Sequence, residues 1–182
     1  MIGIDESREF KPLNIAILTV SDTRTEAEDT SGDSLQKFAE EAGHTVKVRR
    51  LLRDVRVTLS DQIIAWATNP EIDVILTTGG TGLTGRDVTV EAHCELYEKK
   101  ISAFEVLFAN VSMQKIGMSA IQSRACAGVA GGTFLFALPG SPSACKDAWD
   151  HILRKQFDYR NMPCNFVEIL PRLEENKIRK KG

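Results

Sequence analysis

The sequence predicts an α/β domain in which helices cover both faces of a mainly parallel β-sheet. Three apolar runs, at Asn14–Val20, residues 73–77 and Thr133–Leu138, have the unbroken hydrophobicity of strands that are buried on both faces. Segments with the apolar spacing of amphipathic helices separate these runs along the chain. Because strands that alternate with helices build parallel sheets, the pattern indicates this fold class.

Composition and charge narrow the class of protein. The 182 residues are 42% hydrophobic and 26% charged, with a formal net charge of −2, which argues against a surface built to bind nucleic acid. No apolar run approaches the roughly 20 residues that cross a bilayer, and no signal-peptide pattern is present. The four cysteines form no CxxC pair, which argues against a zinc site and a disulfide scaffold. We expect a cytoplasmic protein that binds neither nucleic acid nor a membrane.

The first half of the chain predicts two helices around a second strand. Residues 34–42 have a helical apolar face, and Gly43 stands where a helix-ending glycine is expected. Apolar and basic residues alternate over Thr45–Leu52, which predicts a half-exposed strand. Thr58 and Asp61 resemble a capping pair at the start of the next helix.

The second half of the chain continues the alternation. Residues 88–116 are mostly helical in pattern, in one or two pieces, and residues 128–132 are expected to form a flexible turn. A helix is predicted over residues 143–157, and residues 166–170 are expected to form a final edge strand. The predicted organisation is a single domain over residues 14–173, an N-terminal extension over residues 1–13, and a polar basic tail over residues 174–182.

The loops that follow the strands are the expected site of function. In parallel sheets, ligands bind outside the carboxyl ends of the strands. Three loops should therefore share one edge of the sheet, at residues 21–32, 77–87 and 139–143, and the polar and glycine-rich residues concentrate there. This convergence predicts one binding site.

The segment at residues 77–87 (TTGGTGLTGRD) predicts a phosphate-binding loop. It holds four glycines and four threonines, so that backbone N–H groups and hydroxyls can approach an oxyanion closely. Arg86 could pair with a phosphate. Asp87 needs a cation between its carboxylate and a phosphate, and Mg²⁺ would supply it. The alternative is a simple strand-to-helix turn in which Asp87 caps the helix.

Two nucleotide-binding motifs nearly match this segment. Gly80, Gly82 and Gly85 satisfy the dinucleotide pattern GxGxxG, but the acidic residue at the expected distance, Glu105, lies in a helical stretch rather than at a strand end. The P-loop spacing is also present, yet Arg86 and Asp87 stand where Lys and Ser or Thr are required. We therefore favour neither motif, although a dinucleotide-dependent oxidoreductase stays as an alternative.

Polar residues at the other strand ends complete the candidate site. Asp29, Ser31 and Gly32 precede a helix, where helix capping and anion binding explain them equally well. Asp54 follows the second strand, and its position alone favours helix capping or a surface turn over a functional role. The remaining candidates are Ser21 and Asp22 after the first strand and Gly140 and Ser141 after the last.

Three strings together carry a family resemblance. TTGGTG at residues 77–82, RDVT at residues 86–89 and LPGSP at residues 138–142 resemble the MoaB/MogA family of molybdenum cofactor biosynthesis proteins. The early SDTR and the CNFVEILPRL ending are closer to the MoaB branch. Two positions depart from the family pattern: Val90 and Arg53 stand where proline is common.

The resemblance implies a fold, a reaction and partners. The fold is a three-layer α/β/α sandwich around a mainly parallel sheet. The reaction is the adenylylation of molybdopterin by Mg-ATP, after which the product passes to a molybdenum insertase. Family members assemble as trimers or hexamers, so a homo-oligomer is implied. The alternative within the family is a protein that binds molybdopterin without adenylyltransferase activity.

The resemblance also implies roles for individual residues. Asp54 and Asp87 are the implied catalytic carboxylates, and Asp87 is the implied Mg²⁺ ligand. Phosphoryl-type transfer depends on positioning and charge neutralisation, which agrees with a site that needs no histidine or cysteine nucleophile. The implied substrate-binding residues are Ser21, Asp22, Ser31, Gly32, Thr78, Gly79, Gly80, Thr81, Gly82, Arg86, Gly140 and Ser141.

Overall fold

A computed structural model describes residues 3–175, in which one mixed sheet lies between two layers of helices. The six strands of this sheet lie in the order β3, β2, β4, β7, β6, β5; the first four are mutually parallel, and β6 and β5 are added antiparallel. In chain order the strands are β1 (Gly3–Ile4), β2 (Asn14–Val20), β3 (Thr45–Leu52), β4 (Val74–Thr78), β5 (Lys99–Lys100), β6 (Cys126–Ala130), β7 (Thr133–Leu138) and β8 (Asn161–Met162).

The helices separate the strands as the sequence predicts. A π-helical turn at Trp149–Leu153 joins α5 to α6, so these segments follow one another without a break. The two-residue strands β1 and β8 form a separate antiparallel ladder. The helices are α1 (Thr30–Glu41), α2 (Arg56–Ala67), α3 (Thr89–Leu96), α4 (Ser102–Ile116), α5 (Pro142–Ala148), α6 (Arg154–Gln156) and α7 (Phe166–Ile169).

The sheet is buried on both faces, which explains the unbroken apolar runs. In β2, Ile15 and Ile17 face a core built with α1, α4 and α5, whereas Ala16 and Leu18 face a second core built with α2 and α3. Alternate side chains of a strand point to opposite faces, so each face of this strand needs apolar residues. The three-layer α/β/α fold is therefore confirmed.

Several predicted elements differ from the structure. The first helix begins at Thr30 rather than residue 34, because Asp29 caps it by accepting the N–H of Gly32. The next helix begins at Arg56, and the predicted capping pair Thr58 and Asp61 is wrong, since Val55 precedes the helix with no side-chain cap. Strand β4 spans Val74–Thr78, one residue later than the predicted run at residues 73–77.

Two predictions for the second half of the chain are also wrong. Residues 128–130 belong to the buried strand β6, and only Gly131 and Gly132 form the turn, both with positive φ. Residues 166–170 are not an edge strand: α7 occupies Phe166–Ile169, because the Asn165 side chain accepts the N–H of Glu168 at its first turn. The helical stretch 88–116 is confirmed as two helices, α3 and α4, separated by β5.

The four parallel strands end at one edge of the sheet. The loops that leave this edge are those after Leu52, Val20, Thr78 and Leu138. Within residues 3–175 no helix is both long and apolar enough to cross a membrane. Most of the predicted basic tail, residues 176–182, lies outside the described residues.

Candidate functional site

A cleft of about 620 Å³ opens at the carboxyl edge of the parallel strands. It joins the loops after β2, β3, β4 and β7 to the segment that precedes β6. Eleven of the predicted site residues line it: Ser21, Asp22, Asp54, Gly79, Gly80, Thr81, Gly82, Arg86, Asp87, Gly140 and Ser141. The predicted residues Ser31, Gly32 and Thr78 do not line the cleft but lie behind its walls. The cleft is also lined by residues that were not predicted as site residues, among them Arg24, Gln122, Ser123 and Arg124.

Gly79 brings two strand ends together at the floor of the cleft. Its φ is +96°, and a Cβ at this position would overlap the carbonyl oxygen of Val20. Its N–H donates to the carbonyl of Leu138 at 3.0 Å, which ties the glycine-rich loop to the end of β7. Only glycine fits here, because both the backbone conformation and the space exclude a side chain.

The backbone after Gly79 presents unused hydrogen-bond donors. Gly80 also has a positive φ, of +62°. The N–H groups of Gly80, Thr81 and Gly82 donate to no group among residues 3–175, and neither does the hydroxyl of Thr81. Successive N–H groups that point into one concavity bind phosphate or another oxyanion. The glycine-rich loop therefore has the geometry of an anion cradle.

Arg124 holds this loop by its backbone carbonyl groups. Its Nε donates to the carbonyl of Thr81 at 2.9 Å, and its Nη2 donates to that of Gly82 at 2.7 Å. Its Nη1 lies 2.5 Å from a carboxylate oxygen of Glu91 on α3. These bonds occupy the carbonyl groups of Thr81 and Gly82, whereas the N–H groups of the same residues have no backbone partner among the described residues.

Asp87 closes the glycine-rich loop. One carboxylate oxygen, Oδ2, accepts the N–H of Thr84 at 3.0 Å and its hydroxyl at 2.6 Å. The other oxygen, Oδ1, accepts no hydrogen bond from the described residues, and Asp87 lines the cleft. Asp87 does not cap α3, because Val88 holds the capping position. It is therefore available to a cation.

Asp54 reaches the same region from the end of β3. Its Oδ1 accepts the N–H of Val88 at 3.2 Å, and its Oδ2 lies so close to Gly80 that a Cβ there would overlap it. Burial raises the pKa of this carboxyl, and the charges of Asp87 and Asp22 raise it further, against the opposing effect of the Val88 N–H. A carboxylate with like charges around it is a natural place for a cation.

Asp22 and Arg86 form a bridge across the cleft mouth. The Arg86 Nε and Nη2 donate to Asp22 Oδ2 at 2.9 and 2.5 Å, and these bonds lower the pKa of the carboxyl. The other oxygen of Asp22 accepts the N–H of Asp54 at 3.2 Å. The Arg86 side chain is 76% exposed, so a ligand phosphate would compete with Asp22 for it.

Arg24 crosses from the first loop to the last. Its Nη1 donates to the hydroxyl of Ser31 at 3.1 Å and to the carbonyl of Gly140 at 3.2 Å. Its backbone N–H donates to the hydroxyl of Ser21 at 3.1 Å. The sequence offers no signal for this residue beyond its place at a strand end, because a lone arginine in a loop has the pattern of a surface residue.

The predicted residues that lie outside the cleft support its walls. The buried carboxylate of Asp29 accepts bonds from the Gly32 N–H and the Ser31 hydroxyl, and Arg49 ion-pairs with it at 2.7 Å. Thr78 is buried, and its hydroxyl donates to the carbonyl of Pro139 at 3.0 Å. These bonds join the loops that carry the cleft residues.

The carboxylates fit Mg²⁺ in the manner expected of a nucleotide site. Within the described part of the chain, no three His, Cys, Asp or Glu side chains are grouped to enclose a metal ion. Mg²⁺ in nucleotide-binding proteins is held by one or two carboxylates together with substrate phosphates. Asp54 and Asp87, with Oδ2 and Oδ1 unpartnered among the described residues, match that donor set.

The geometry does not match a dinucleotide-binding motif. Glu105 lies within α4, not at the end of one of the parallel strands, and Lys100 pairs with it at 2.8 Å. The motif requires this acidic residue at the end of a strand, where it binds a ribose. The helix after the glycine-rich segment also begins only at Thr89, beyond the glycines.

A family model described as "Probable molybdopterin binding domain" matches residues 16–159. The chain belongs to this family. The cleft lies entirely within the matched segment, since its lining residues run from Val20 to Pro142. The resemblance of the sequence strings to MoaB and MogA proteins is confirmed.

Similar proteins within this molybdopterin-binding family include curated and solved examples. Molybdenum cofactor biosynthesis protein B of Escherichia coli (strain K12) is 46% identical over 160 residues, which cover 88% of this chain and 94% of that protein. A "Probable molybdopterin adenylyltransferase" of Methanocaldococcus jannaschii is 36% identical and covers 78% of this chain and 88% of its own length. A crystal structure of a molybdenum cofactor biosynthesis protein B has a TM-score of 0.83 at 35% identity and covers 92% of this chain and 99% of its own.

Proposed function

We propose that the protein catalyses the adenylylation of molybdopterin by Mg-ATP, forming adenylyl-molybdopterin and pyrophosphate. One observation carries the proposal: unpartnered N–H groups at residues 80–82 and unpartnered carboxylate oxygens of Asp54 and Asp87 meet in one cleft. An anion cradle beside carboxylates suits a metal-bound polyphosphate. The name of the M. jannaschii relative supports the same reaction.

The chemistry requires no protein nucleophile. An oxygen of the pterin's terminal phosphate forms a bond to the α-phosphorus of ATP. The bond from that phosphorus to the oxygen that bridges to the β-phosphate breaks, and pyrophosphate leaves with the electron pair. Such transfers depend on positioning and on neutralising charge. The described residues that line the cleft include no histidine or cysteine, which agrees with this mechanism.

The cleft residues would divide this work. The N–H groups of residues 80–82 and the Thr81 hydroxyl would bind phosphate oxygens, and Asp54 and Asp87 would hold Mg²⁺. Mg²⁺ held there would neutralise the charge that builds on the phosphates. The substrate walls would be Ser21, Asp22, Gly79, Arg86, Gly140 and Ser141, with Ser31, Gly32 and Thr78 supporting them.

The test is to incubate the protein with molybdopterin, ATP and Mg²⁺ and to measure pyrophosphate and adenylyl-molybdopterin. Asp87→Asn keeps an acceptor for Thr84 but removes the charge, and we expect turnover to fall about 100-fold or more. Asp150→Asn is the matched control, because Asp150 pairs with Lys146 and does not line the cleft. Near-normal turnover in Asp87→Asn would contradict the assigned role.

The same incubation separates the alternatives. Binding of molybdopterin, followed by its fluorescence, without pyrophosphate release would indicate a molybdopterin-binding protein that lacks transferase activity. A dinucleotide-dependent oxidoreductase would instead change NADH fluorescence on titration. We expect no such change, because Glu105, the acidic residue at the expected distance, lies in α4 rather than at a strand end.

We also propose that the protein is a cytoplasmic homotrimer or homohexamer that passes its product to a molybdenum insertase. Large apolar side chains are exposed along α4 and the turn after it, including Leu107, Met113, Met118 and Ile121. An apolar surface of this kind is typical of an interface. Light scattering after size-exclusion chromatography should give a mass three or six times that of the chain, and a monomer would contradict the proposal.

The folding unit is proposed to be residues 14–173. The first residue of the hydrophobic core is Leu13, one position before this boundary, and Leu173 packs against the core at the other end. By contrast, Gly3–Ile4 contribute only a two-residue ladder with β8. Removal of residues 1–12 should leave cooperative thermal unfolding intact, and loss of the unfolding transition would contradict this boundary.

A further inference from the structure

The charged groups of the cleft are unevenly distributed. Asp54 and Asp87 both lie against the glycine-rich loop, since a Cβ at Gly80 would overlap Asp54 and a Cβ at Gly82 would stand 2.7 Å from Asp87 Oδ2. Of the arginines that line the cleft, Arg124 is committed to two carbonyls and Glu91, and Arg86 is committed to Asp22. Arg24 is the remaining arginine, and it lies on the wall formed by the first and last loops.

Arg24 is held in place but keeps free donors. Only its Nη1 is used, by the Ser31 hydroxyl and the Gly140 carbonyl. Its Nε and Nη2 donate to no group among residues 3–175. The guanidinium of this cleft-lining residue therefore keeps an unused Nε–Nη2 edge, and an edge of this shape can donate two parallel bonds to a phosphate.

The anchor of Arg24 is a buried chain of hydrogen bonds. The hydroxyl of Ser31, itself fully buried, donates to Asp29 at 3.3 Å. Asp29 in turn accepts the hydroxyl of Thr19 in β2 at 2.6 Å and the ion pair from Arg49 in β3. The orientation of Arg24 is thus fixed from the sheet, which reduces the entropy lost when a ligand binds.

Arg24 and the anion cradle face the same cleft from two sides. Gly140, to which Arg24 is bonded, lies against the first residue of the glycine-rich turn: a Cβ there would stand 3.1 Å from the Cα of Gly79. Arg24 and residues 80–82 therefore line the same cleft, on neighbouring loops.

We propose that Arg24 binds the terminal phosphate of the pterin substrate, on the wall of the cleft formed by the first and last loops, while Asp54 and Asp87 hold the metal; this rests on the proposed function. ATP brings Mg²⁺ and can bind beside Asp54 and Asp87. A phosphate monoester brings no metal, so it needs a cation from the protein. Arg24 offsets the repulsion between the two anionic substrates and holds the attacking oxygen on the far side of the α-phosphorus from pyrophosphate.

The test compares Arg24→Gln and Arg24→Lys with the wild-type protein. We expect the KM for molybdopterin to rise about 10- to 100-fold in Arg24→Gln, as for the loss of a charge-assisted hydrogen bond. The KM for ATP should stay within about twofold. Arg24→Lys should recover part of the loss, because it keeps the charge but not the two parallel bonds. Arg50→Gln removes a positive charge from the surface of β3 and is the matched control.

A second readout is independent of catalysis. Fluorescence titration without ATP gives the Kd for molybdopterin and for its dephosphorylated form. Arg24→Gln should weaken binding of the phosphorylated pterin only, so that both variants and the wild type bind the dephosphorylated form equally. If wild-type protein releases no pyrophosphate, the proposed function fails, but this titration still tests the role of Arg24.

Three outcomes would overturn the proposal. The first is an unchanged Kd for molybdopterin in Arg24→Gln. The second is an equal loss of affinity for the phosphorylated and the dephosphorylated pterin, and the third is a rise in the KM for ATP rather than in the KM for molybdopterin. Thermal unfolding of each variant checks that the fold is retained. Should Arg24→Gln fail to fold, the loss of affinity for the phosphorylated form alone in Arg24→Lys decides the question.

Discussion

Replacement of Arg124 by alanine should damage both the stability and the function of the glycine-rich loop. The side chain donates to the carbonyls of Thr81 and Gly82 and pairs with Glu91, so one residue joins the loop to α3 and to the segment before β6. Arg124→Ala removes all of these bonds. The segment that carries the N–H groups of residues 80–82 is then no longer fixed in position by these bonds.

The magnitude follows from the exposure of the groups. Charge-assisted hydrogen bonds contribute about 1.5–3 kcal/mol each, and the lower figure suits a side chain that is 27% exposed. The ion pair with Glu91 adds less than about 1 kcal/mol, because partly exposed pairs are screened. We expect the free energy of unfolding to fall by about 3 kcal/mol, which for a chain of this length lowers Tm by roughly 6–12 °C.

Function should fall as well. A loop displaced by about 1 Å can cost on the order of 100-fold in rate, so kcat/KM for adenylylation should drop by that order in Arg124→Ala. Glu91→Gln is the matched control: it weakens the ion pair but leaves both carbonyl bonds, and it should lower the free energy of unfolding by less than about 1 kcal/mol. An Arg124→Ala protein with unchanged Tm and kcat/KM would refute the assigned role of Arg124.

Three further predictions concern single positions. Gly79→Ala places a methyl group against the Val20 carbonyl at positive φ, so urea unfolding should show that the free energy of unfolding falls by at least about 2 kcal/mol. Gly85→Ala is the control and should change it little, because a Cβ there meets open space. Equal effects of the two substitutions would contradict the packing described. Asp54→Asn should lower adenylylation about 100-fold yet be at least as stable as wild type at pH 7, because the raised pKa means that ionisation destabilises the fold. That advantage should vanish as the pH falls below the ordinary value of 3.8, and a less stable variant at pH 7 would contradict it. Burial lowers the pKa of His44 to about 4. The unfolded chain therefore binds more protons than the folded one between pH 6.5 and about 4. The free energy of unfolding should fall on acidification through this range by up to about 1.4 kcal/mol per pH unit. His44→Gln should make that slope shallower, and an unchanged slope would contradict the assignment.

The strands were predictable where burial on both faces leaves a continuous signal. Asn14–Val20 and Thr133–Leu138 carry unbroken apolar runs, and their bounds match the prediction. Thr45–Leu52 at the sheet edge also matches, because its alternation reflects one covered face. In each case the pattern follows directly from the environment of the strand.

Strand β6 and helix α7 were not predictable from the sequence, because of small residues in the first and local capping in the second. Strand β6 (CAGVA) is buried but consists mostly of alanine and glycine, which carry little hydrophobic signal, and the following Gly131 and Gly132 made the whole segment look like a turn. The segment Phe166–Ile169 has strand-like composition, yet the side chain of Asn165 caps a helix there. Here a single hydrogen bond outweighed propensity.

The candidate site was predictable in its location and in most of its polar residues. The rule that loops at carboxyl ends of parallel strands converge placed Ser21, Gly79 and Ser141 at one edge, and they line one cleft. Asp54 lines it too, but it was predicted from the family resemblance. It could not identify Arg24 and Arg124, because their importance lies in contacts with residues over 100 and about 40 positions away, respectively. Such contacts leave no periodic or local signal in one sequence.

The most direct test of the proposed reaction is a single-turnover measurement with excess protein, molybdopterin and ATP labelled at the α-phosphate. The label should appear in adenylyl-molybdopterin in step with pyrophosphate, only when Mg²⁺ is present, and at a rate about 100-fold lower in Asp87→Asn. Tight binding of molybdopterin with no transfer of the label, in otherwise folded protein, would contradict the account and leave the cleft as a binding site alone.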